Sequence, residues 1–326
     1  MPSMTGAAVL YRPLQAGDEH AVLRLLRACG YSPDERWWRW MNEECPQGKT
    51  LVELAVAGDG EVVGHYSVWP KLLRSGGATL RAGMAIHAAV HPDHRGLSIL
   101  KDLMQRTVAR CREEGIAFIY AFPNDQVWLV YLRFLQWKEL GDLKACEISL
   151  EGWDEPEQGG SLQWVLRDPP VFEEAHGRIQ QAMLEEGSLR EKIAAVKDRA
   201  WLEWRYARHP RGRYPLLEGR SSSGELVAYG VLKLYEKAGI RYGHIVDFGV
   251  LPSAEQGFPA LVRAALRFFK SRGADVASCW FSDEQLGFRK TGFITHVGIR
   301  PVEPENSGET FMLNPWHVTM GDSDAF

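Results

Sequence analysis

The chain has 326 residues, enough for two domains of ordinary size, and its 45% hydrophobic content can support real cores. A net charge of −4 gives no general attraction to nucleic acid or an anionic membrane, and no run approaches the roughly 20 apolar residues of a membrane span. Five scattered cysteines without a C-x-x-C pair support neither a disulfide framework nor a zinc site, and the N-terminus lacks a basic segment followed by an apolar core, so the expectation is a cytoplasmic, metal-free protein.

Residues 9–12 read as a short strand and 20–30 as a helix closed by Gly30. Ser32 and Pro33 read as the N-cap and first turn of a second helix, which carries Trp37, Trp38 and Trp40. Segments 51–57 and 61–69 read as strands joined by Gly58-Asp59-Gly60, with a further extended piece over 72–80. Residues 84–90 are an apolar run broken by His87; a loop with Pro92, Asp93, Arg95 and Gly96 follows. Leu100, Leu103, Met104, Val108 and Cys111 then recur at helical spacing. A strand feeding a glycine-bearing turn and a helix leaves backbone N–H groups at the helix start, where the dipole also favours an anion. Segment 116–124 reads as the next strand and 127–141 as a helix running into a turn.

The run V-H-P-D-H-R-G-L-S-I (90–99) resembles the acyl-CoA loop of the GNAT (Gcn5-related) N-acetyltransferases, Q/R-x-x-G-x-G/A, with Asp93 and Ser98 departing from two of its three fixed positions. Asn124 and the segment to Gly141 are similar to the family's N-x-x-(A)-x-x-x-Y-x-x-x-G-F, with Gln136-Trp137 in place of Gly-Phe. The resemblance covers about residues 9–150. It implies acetyl-CoA as donor, held by the backbone of Ala88, Ala89 and Val90, by Arg95, Gly96, Leu97, Ser98 and Ile99, and by Asn124. It also implies a tyrosine that protonates the leaving thiolate. Tyr131 lies one residue from that position, which is about 100° around a helix; the other reading packs it under the sheet. His87, whose ordinary pKa suits proton removal near neutrality, is the candidate base or acceptor contact, set against a purely structural histidine.

After Leu150 the acid-, Gly- and Pro-rich EGWDEPEQGGS reads as a linker over 151–162. The second half then repeats the first. D-E-R-W-W-R-W (34–40) faces D-R-A-W-L-E-W (198–204), G-M-A-I-H-A-A-V-H-P (83–92) faces G-H-I-V-D-F-G-V-L-P (243–252), and residues 113–120 face 271–278. The expected architecture is α/β (α+β): a GNAT domain over 1–150 and a degenerate GNAT-like domain over 163–326. Each would have a central mixed, mostly antiparallel twisted sheet flanked by helices. The second loop, L-P-S-A-E-Q-G-F-P, has no arginine before Gly257, so acyl-CoA is assigned to the first half. Asp247 matches His87 and His244 matches Met84; with Trp69 and Trp128 they are the candidates for the acceptor pocket. Trp37, Trp40, Trp201 and Trp204 recur in both halves and read as core or helix-packing residues.

The resemblance implies direct transfer of an acetyl group to the primary amine of a small polar metabolite, an amino sugar or similar. The partners are that acceptor alone, with no nucleic acid and no membrane, in a monomer or homodimer. Two alternatives stay open: a longer acyl-CoA or aminoacyl donor, and a non-catalytic acyl-CoA sensor.

Overall fold

The computed structural model describes residues 9–95, 97–154, 162–254, 256–281, 286–303, 311 and 315–325. The chain divides into two compact units that do not follow its contiguous halves. The first comprises residues 1–72, 80–141 and 296–312; the second comprises 73–79, 142–295 and 313–326. The linker expected over 151–162 falls inside the second unit's span, and its residues 155–161 lie outside the described residues.

The first unit contains β1 (Leu10–Pro13), α1 (Glu19–Ala28), α2 (Glu35–Asn42), β2 (Leu51–Val56), most of β3 (Val62–Ser75) and of β4 (Ala78–Val90), α3 (Leu97–Glu113), β5 (Phe118–Ala121) and α4 (Asp125–Phe134). Its sheet runs β1-β2-β3-β4-β5 and ends on the later part of β13 (Arg289–Pro301). Pairing is antiparallel for β1-β2, β2-β3 and β5-β13, and parallel for β4-β5. One face packs Val63, Tyr66, Leu103, Met104, Val108, Trp128, Tyr131 and Trp137 between sheet, α3 and α4. The other packs Val22, Leu23, Leu26 and Trp38 of α1 and α2 onto Val52, Leu54 and Ala89.

Local chemistry sets the boundaries. Helix α1 ends with Gly30 at φ +89, Tyr31 N–H donating to Leu26 O and Gly30 N–H to Arg27 O, a Schellman closure. Asp34, not Ser32, caps α2, its carboxylate accepting from Trp37 N–H at 2.8 Å. The extended piece expected over 72–80 is the tip of a β3-β4 hairpin turned by Gly76 and Gly77, both at positive φ. Helix α4 starts at Asp125 and stops at Phe134, earlier than expected, because Gln136 adopts φ +58 and breaks the helical path.

The second unit begins with the later residues of β6 (Lys138–Ser149), then β7 (Gln163–Arg167), α5 (Glu174–Glu185), β8 (Ile193–Ala195) and α6 (Arg199–Leu202), which runs into a π turn over Glu203–Ala207. It continues with β9 (Leu216–Arg220), β10 (Leu226–Lys237), β11 (Ile240–Val250), α7 (Gly257–Ser271), β12 (Val276–Cys279) and β14 (Trp316–His317). Its strand order, β7-β9-β10-β11-β12-β6, repeats the first unit's, again with one parallel pair, β11-β12. In each unit the last strand is contributed by the other half of the chain. Two residues of the β3 tip, Leu73 and Arg74, pair with β8 in the second unit.

Candidate active site

The parallel ladder between β4 and β5 consists of Gly83↔Ile119 and Met84↔Tyr120 and then stops. Beyond it β5 ends at Ala121 while β4 continues to Val90, so the strands part and residues 85–90 present an edge that β5 does not pair. At the start of this stretch His87 adopts φ +48. A left-handed backbone at a non-glycine residue costs about 1–2 kcal/mol and needs support from its surroundings. Two β3 side chains give it: Ser67 Oγ donates to Ile86 O at 2.7 Å, and His65 Nδ1 bonds His87 O at 2.7 Å. A carbonyl only accepts, so His65 carries its proton on Nδ1. Burial pushes its pKa to about 4 despite that bond, which holds the ring neutral.

This left-handed turn directs the half-buried His87 ring toward α2 and the end of α1. Its centroid lies 5.2 Å from Tyr31 and 5.0 Å from Trp37, both edge-on. Burial lowers the His87 pKa to about 4. Trp37 is thus half-buried and packed against His87, whereas Trp40, Trp201 and Trp204 are buried. The spacing of Trp37 and Trp40 does not separate them. Tyr31, which the sequence reading passed over, follows the Gly30 helix stop, and that stop is the signal for a residue projecting from a fixed turn.

Of the other expected cofactor residues, Ala88 and Val90 pack toward the α3 face and Ala89 toward the α1-α2 face. Cys29 Sγ donates to Val90 O at 3.4 Å. The strand runs into a single 3-10 turn over Pro92–His94, in which His91 Nδ1 accepts from Asp93 N–H, and Arg95 is exposed where that turn ends. Gly96 and the Leu97 side chain lie outside the described residues. Ser98 is exposed on the first turn of α3, and Ile99 is buried against Gly64, where a Cβ would stand 2.8 Å from Ile99 Cγ2. Asn124 is exposed at the start of α4 and caps it, its side chain accepting from Val127 N–H at 3.1 Å.

Tyr131 is buried in the core below the sheet, its ring stacked on Trp137 at 4.6 Å. Burial, with the Tyr131 phenol nearby, raises the Tyr66 pKa well above its ordinary value. Trp69 is also core, beside Trp40 and under the Lys71 ammonium. Trp128 covers Gly298 and stacks on His296 at 5.2 Å.

His244 and Asp247 belong to the second unit. There Gly243↔Ala277 and His244↔Ser278 stand where Gly83↔Ile119 and Met84↔Tyr120 stand in the first, as the repeat alignment expected. Asp247 is buried and engaged: its Oδ1 takes the Lys197 ammonium at 3.0 Å and its Oδ2 accepts from Tyr206 OH at 2.6 Å. Burial opposes the Lys197 charge, but Asp247 and Asp322 outweigh it and raise the pKa. Gly257 is buried under Val250, whose Cγ1 would stand 2.6 Å from an added Cβ, so this glycine serves packing. Among the described residues no cluster of His, Cys, Asp and Glu could hold a metal ion, and no helix is long and apolar enough to cross a membrane.

Residues 10–134 match the family model described as acetyltransferase (GNAT) domain, while no curated protein matches the sequence. A probable N-acyltransferase from Enterococcus faecalis V583 shares the fold with TM-score 0.69 and 14% identity, over 91% of this chain and 73% of its own. A tandem GNAT protein from the clavulanic acid biosynthesis pathway aligns with TM-score 0.61 and 13% identity, over 91% of this chain and 99% of its own. Saccharomyces cerevisiae N-myristoyltransferase, solved with myristoyl-CoA, aligns with TM-score 0.58 and 10% identity over 92% of this chain and 80% of its own. Residues 10–134 thus match the model of the GNAT acetyltransferase domain, and the whole chain shares the fold of a tandem GNAT protein.

Proposed function

We propose that the first unit is an acyl-CoA-dependent N-acyltransferase, with acetyl-CoA as donor and the primary amine of a small polar metabolite, such as an amino sugar, as acceptor. The observation that carries this reading is the stretch of β4 after Met84, turned at His87, which β5 leaves unpaired and which leads through Arg95 into α3. An open strand edge offers alternating N–H and C=O groups to an extended chain, which suits a pantetheine arm along Ala88, Ala89 and Val90. The α3 N-terminus and the exposed Arg95 suit a pyrophosphate.

In the transfer the amine lone pair attacks the thioester carbon, the carbonyl oxygen takes the negative charge, and the C–S bond breaks to leave an amide and a thiolate that gains a proton. Main-chain N–H groups along this unpaired stretch stabilise the oxyanion, a contribution of about 3–4 kcal/mol where such donors have been removed elsewhere. His87 forms the acceptor pocket with Tyr31 and Trp37. With its pKa near 4 it is neutral at pH 7 and accepts a hydrogen bond from the amine, but it does not retain the proton, which passes to solvent. The thiolate gains its proton from solvent; Tyr131, the acid expected from the resemblance, is buried in the core on Trp137.

The test is thermal stability with acetyl-CoA, CoA and longer acyl-CoAs, on the wild type and on Arg95→Ala. A ligand at a hundredfold excess over its Kd stabilises by about 2.7 kcal/mol. The expected result is an upward shift with acetyl-CoA that shrinks in Arg95→Ala, followed by amine-dependent thiol release in an acceptor screen. No shift with any CoA species overturns the reading.

A further inference from the structure

The second unit contains a cavity of about 400 Å³, lined by a row of side chains that corresponds to a fully buried row in the first unit. In the first unit, Ile299, Tyr120 and Met84 are register partners across β13, β5 and β4, and all three are buried. The corresponding row in the second unit is Glu147↔Ser278↔His244 across β6, β12 and β11, and it extends to Lys233 on β10. Four side chains therefore cross four adjacent strands in one line, with a carboxylate at one end and an ammonium at the other, and all four line the cavity. His244 Nδ1 and Ser278 Oγ are 2.6 Å apart in the middle of the row, both buried. Two residues along β11 on the same face, Tyr242 lies with its ring 12° from the His244 plane, giving a flat aromatic wall. Lys237, four residues further along β10 on the same face, also lines the cavity as a second cation.

Among the described residues, neither end of this row has an ion-pair partner. Glu147 is half-buried without a hydrogen-bond or ion-pair partner among the described residues, and burial alone raises its pKa. Lys233 contacts the Tyr214 ring and has no carboxylate partner among the described residues. Leaving a half-buried carboxylate unmatched is unfavourable unless something else meets it. The volume falls within the range of small-molecule sites.

We propose that this cavity binds a short zwitterionic peptide of two or three residues that carries an aromatic side chain. Its carboxylate faces Lys233 and Lys237, its ammonium faces Glu147, and its central amide meets the His244–Ser278 pair. The length follows from the spacing: three strand separations put the Cα atoms of Lys233 and Glu147 about 14 Å apart. An extended di- or tripeptide spans about 7–10 Å, and the two protein side chains bridge the remainder. A single amino acid is too short to meet both ends. The aromatic side chain lies against Tyr242. This site is distinct from the acyl-CoA site and does not depend on the transferase reading.

The test is isothermal titration of the full chain with glycyl-L-tyrosine, its N-acetylated form, its C-terminal amide, and L-tyrosine. The expected result is one glycyl-tyrosine site per chain, with at least tenfold weaker binding of both blocked forms and of tyrosine. Lys233→Met and Lys237→Gln should each weaken glycyl-tyrosine while leaving the amide unchanged, and Glu147→Gln should weaken it while leaving the N-acetylated form unchanged. That matched pattern is not produced by a general loss of structure, and Lys237 is exposed, so its replacement does not endanger the fold. Absence of heat with every probe at millimolar concentration overturns the proposal. So does binding indifferent to all three substitutions, tyrosine binding as tightly as the dipeptide, or displacement of the dipeptide by acetyl-CoA.

Discussion

Gln136 shows how one departure from a family pattern is accommodated. It stands where the family has the glycine of Gly-Phe, and its φ of +58 explains that glycine, because a side chain in the left-handed region costs about 1–2 kcal/mol. In return its Oε1 accepts from Arg300 Nη2 at 2.8 Å, tying the turn after α4 to β13. A hydrogen bond to a charged donor is worth about 1.5–3 kcal/mol when sheltered and less at this exposed position. The two effects nearly cancel, which leads to a paired expectation. Gln136→Gly, which relieves the strain and loses the bond, should change stability by less than about 1 kcal/mol. Gln136→Ala, which keeps the strain and loses the bond, should destabilise by about 1 kcal/mol or more. Urea unfolding of the two variants checks this, and an alanine variant as stable as the glycine one would contradict it.

Among the elements, β4 carries the candidate chemistry, and its shape depends on the neutral state of a β3 side chain. His65 donates through Nδ1 to the His87 carbonyl, and burial holds its pKa near 4. The unfolded chain binds that proton with an ordinary pKa near 6.5, so the unfolded state takes up more protons between the two values. Stability is therefore complete above about pH 6.5 and is lost as pH falls toward 4; the whole difference is about 3 kcal/mol for this fully buried group. His65→Gln keeps an N–H donor and cannot titrate. It should lower stability modestly at pH 8 and flatten the decline between pH 6.5 and 4, as measured by denaturant unfolding across that range. An unchanged slope would remove His65 from the account. Several parts of this region were legible in advance. The apolar run, the break at His87 and the amphipathic α3 follow from periodicity, and those signals placed β4 and α3. The positive φ at His87 was not legible, because it arises from tertiary bonds to Ser67 and His65, which lie about twenty residues away on β3. Nor was the pairing of Tyr31 and Trp37 around His87, which depends on where the α1 stop aims the chain.

At the scale of the whole molecule, the two units repeat one strand order, and the repeat was readable from matched motifs such as W-x-x-W and from glycine-to-glycine alignment of β4 with β11. The exchange of last strands was not readable. Local pattern marks β6 and β13 as strands, but which partner each one pairs with is a long-range choice that sequence periodicity does not encode. The consequence is physical: β5 finds its antiparallel neighbour in Gly298–Pro301, and β12 finds its own in Cys146–Ser149. Fragments 1–150 and 151–326 each lack a strand that completes one unit, and an unpaired strand next to a core invites aggregation. Neither fragment expressed alone should show a cooperative thermal transition, whereas the two co-expressed should co-elute at a one-to-one ratio and melt cooperatively. A chain cleaved at a protease site placed after the exposed Glu151 should likewise stay together on size exclusion. A fragment 1–150 that unfolds cooperatively by itself would mean that β6 can turn back to complete the first unit, and that the exchange is one of two available pairings.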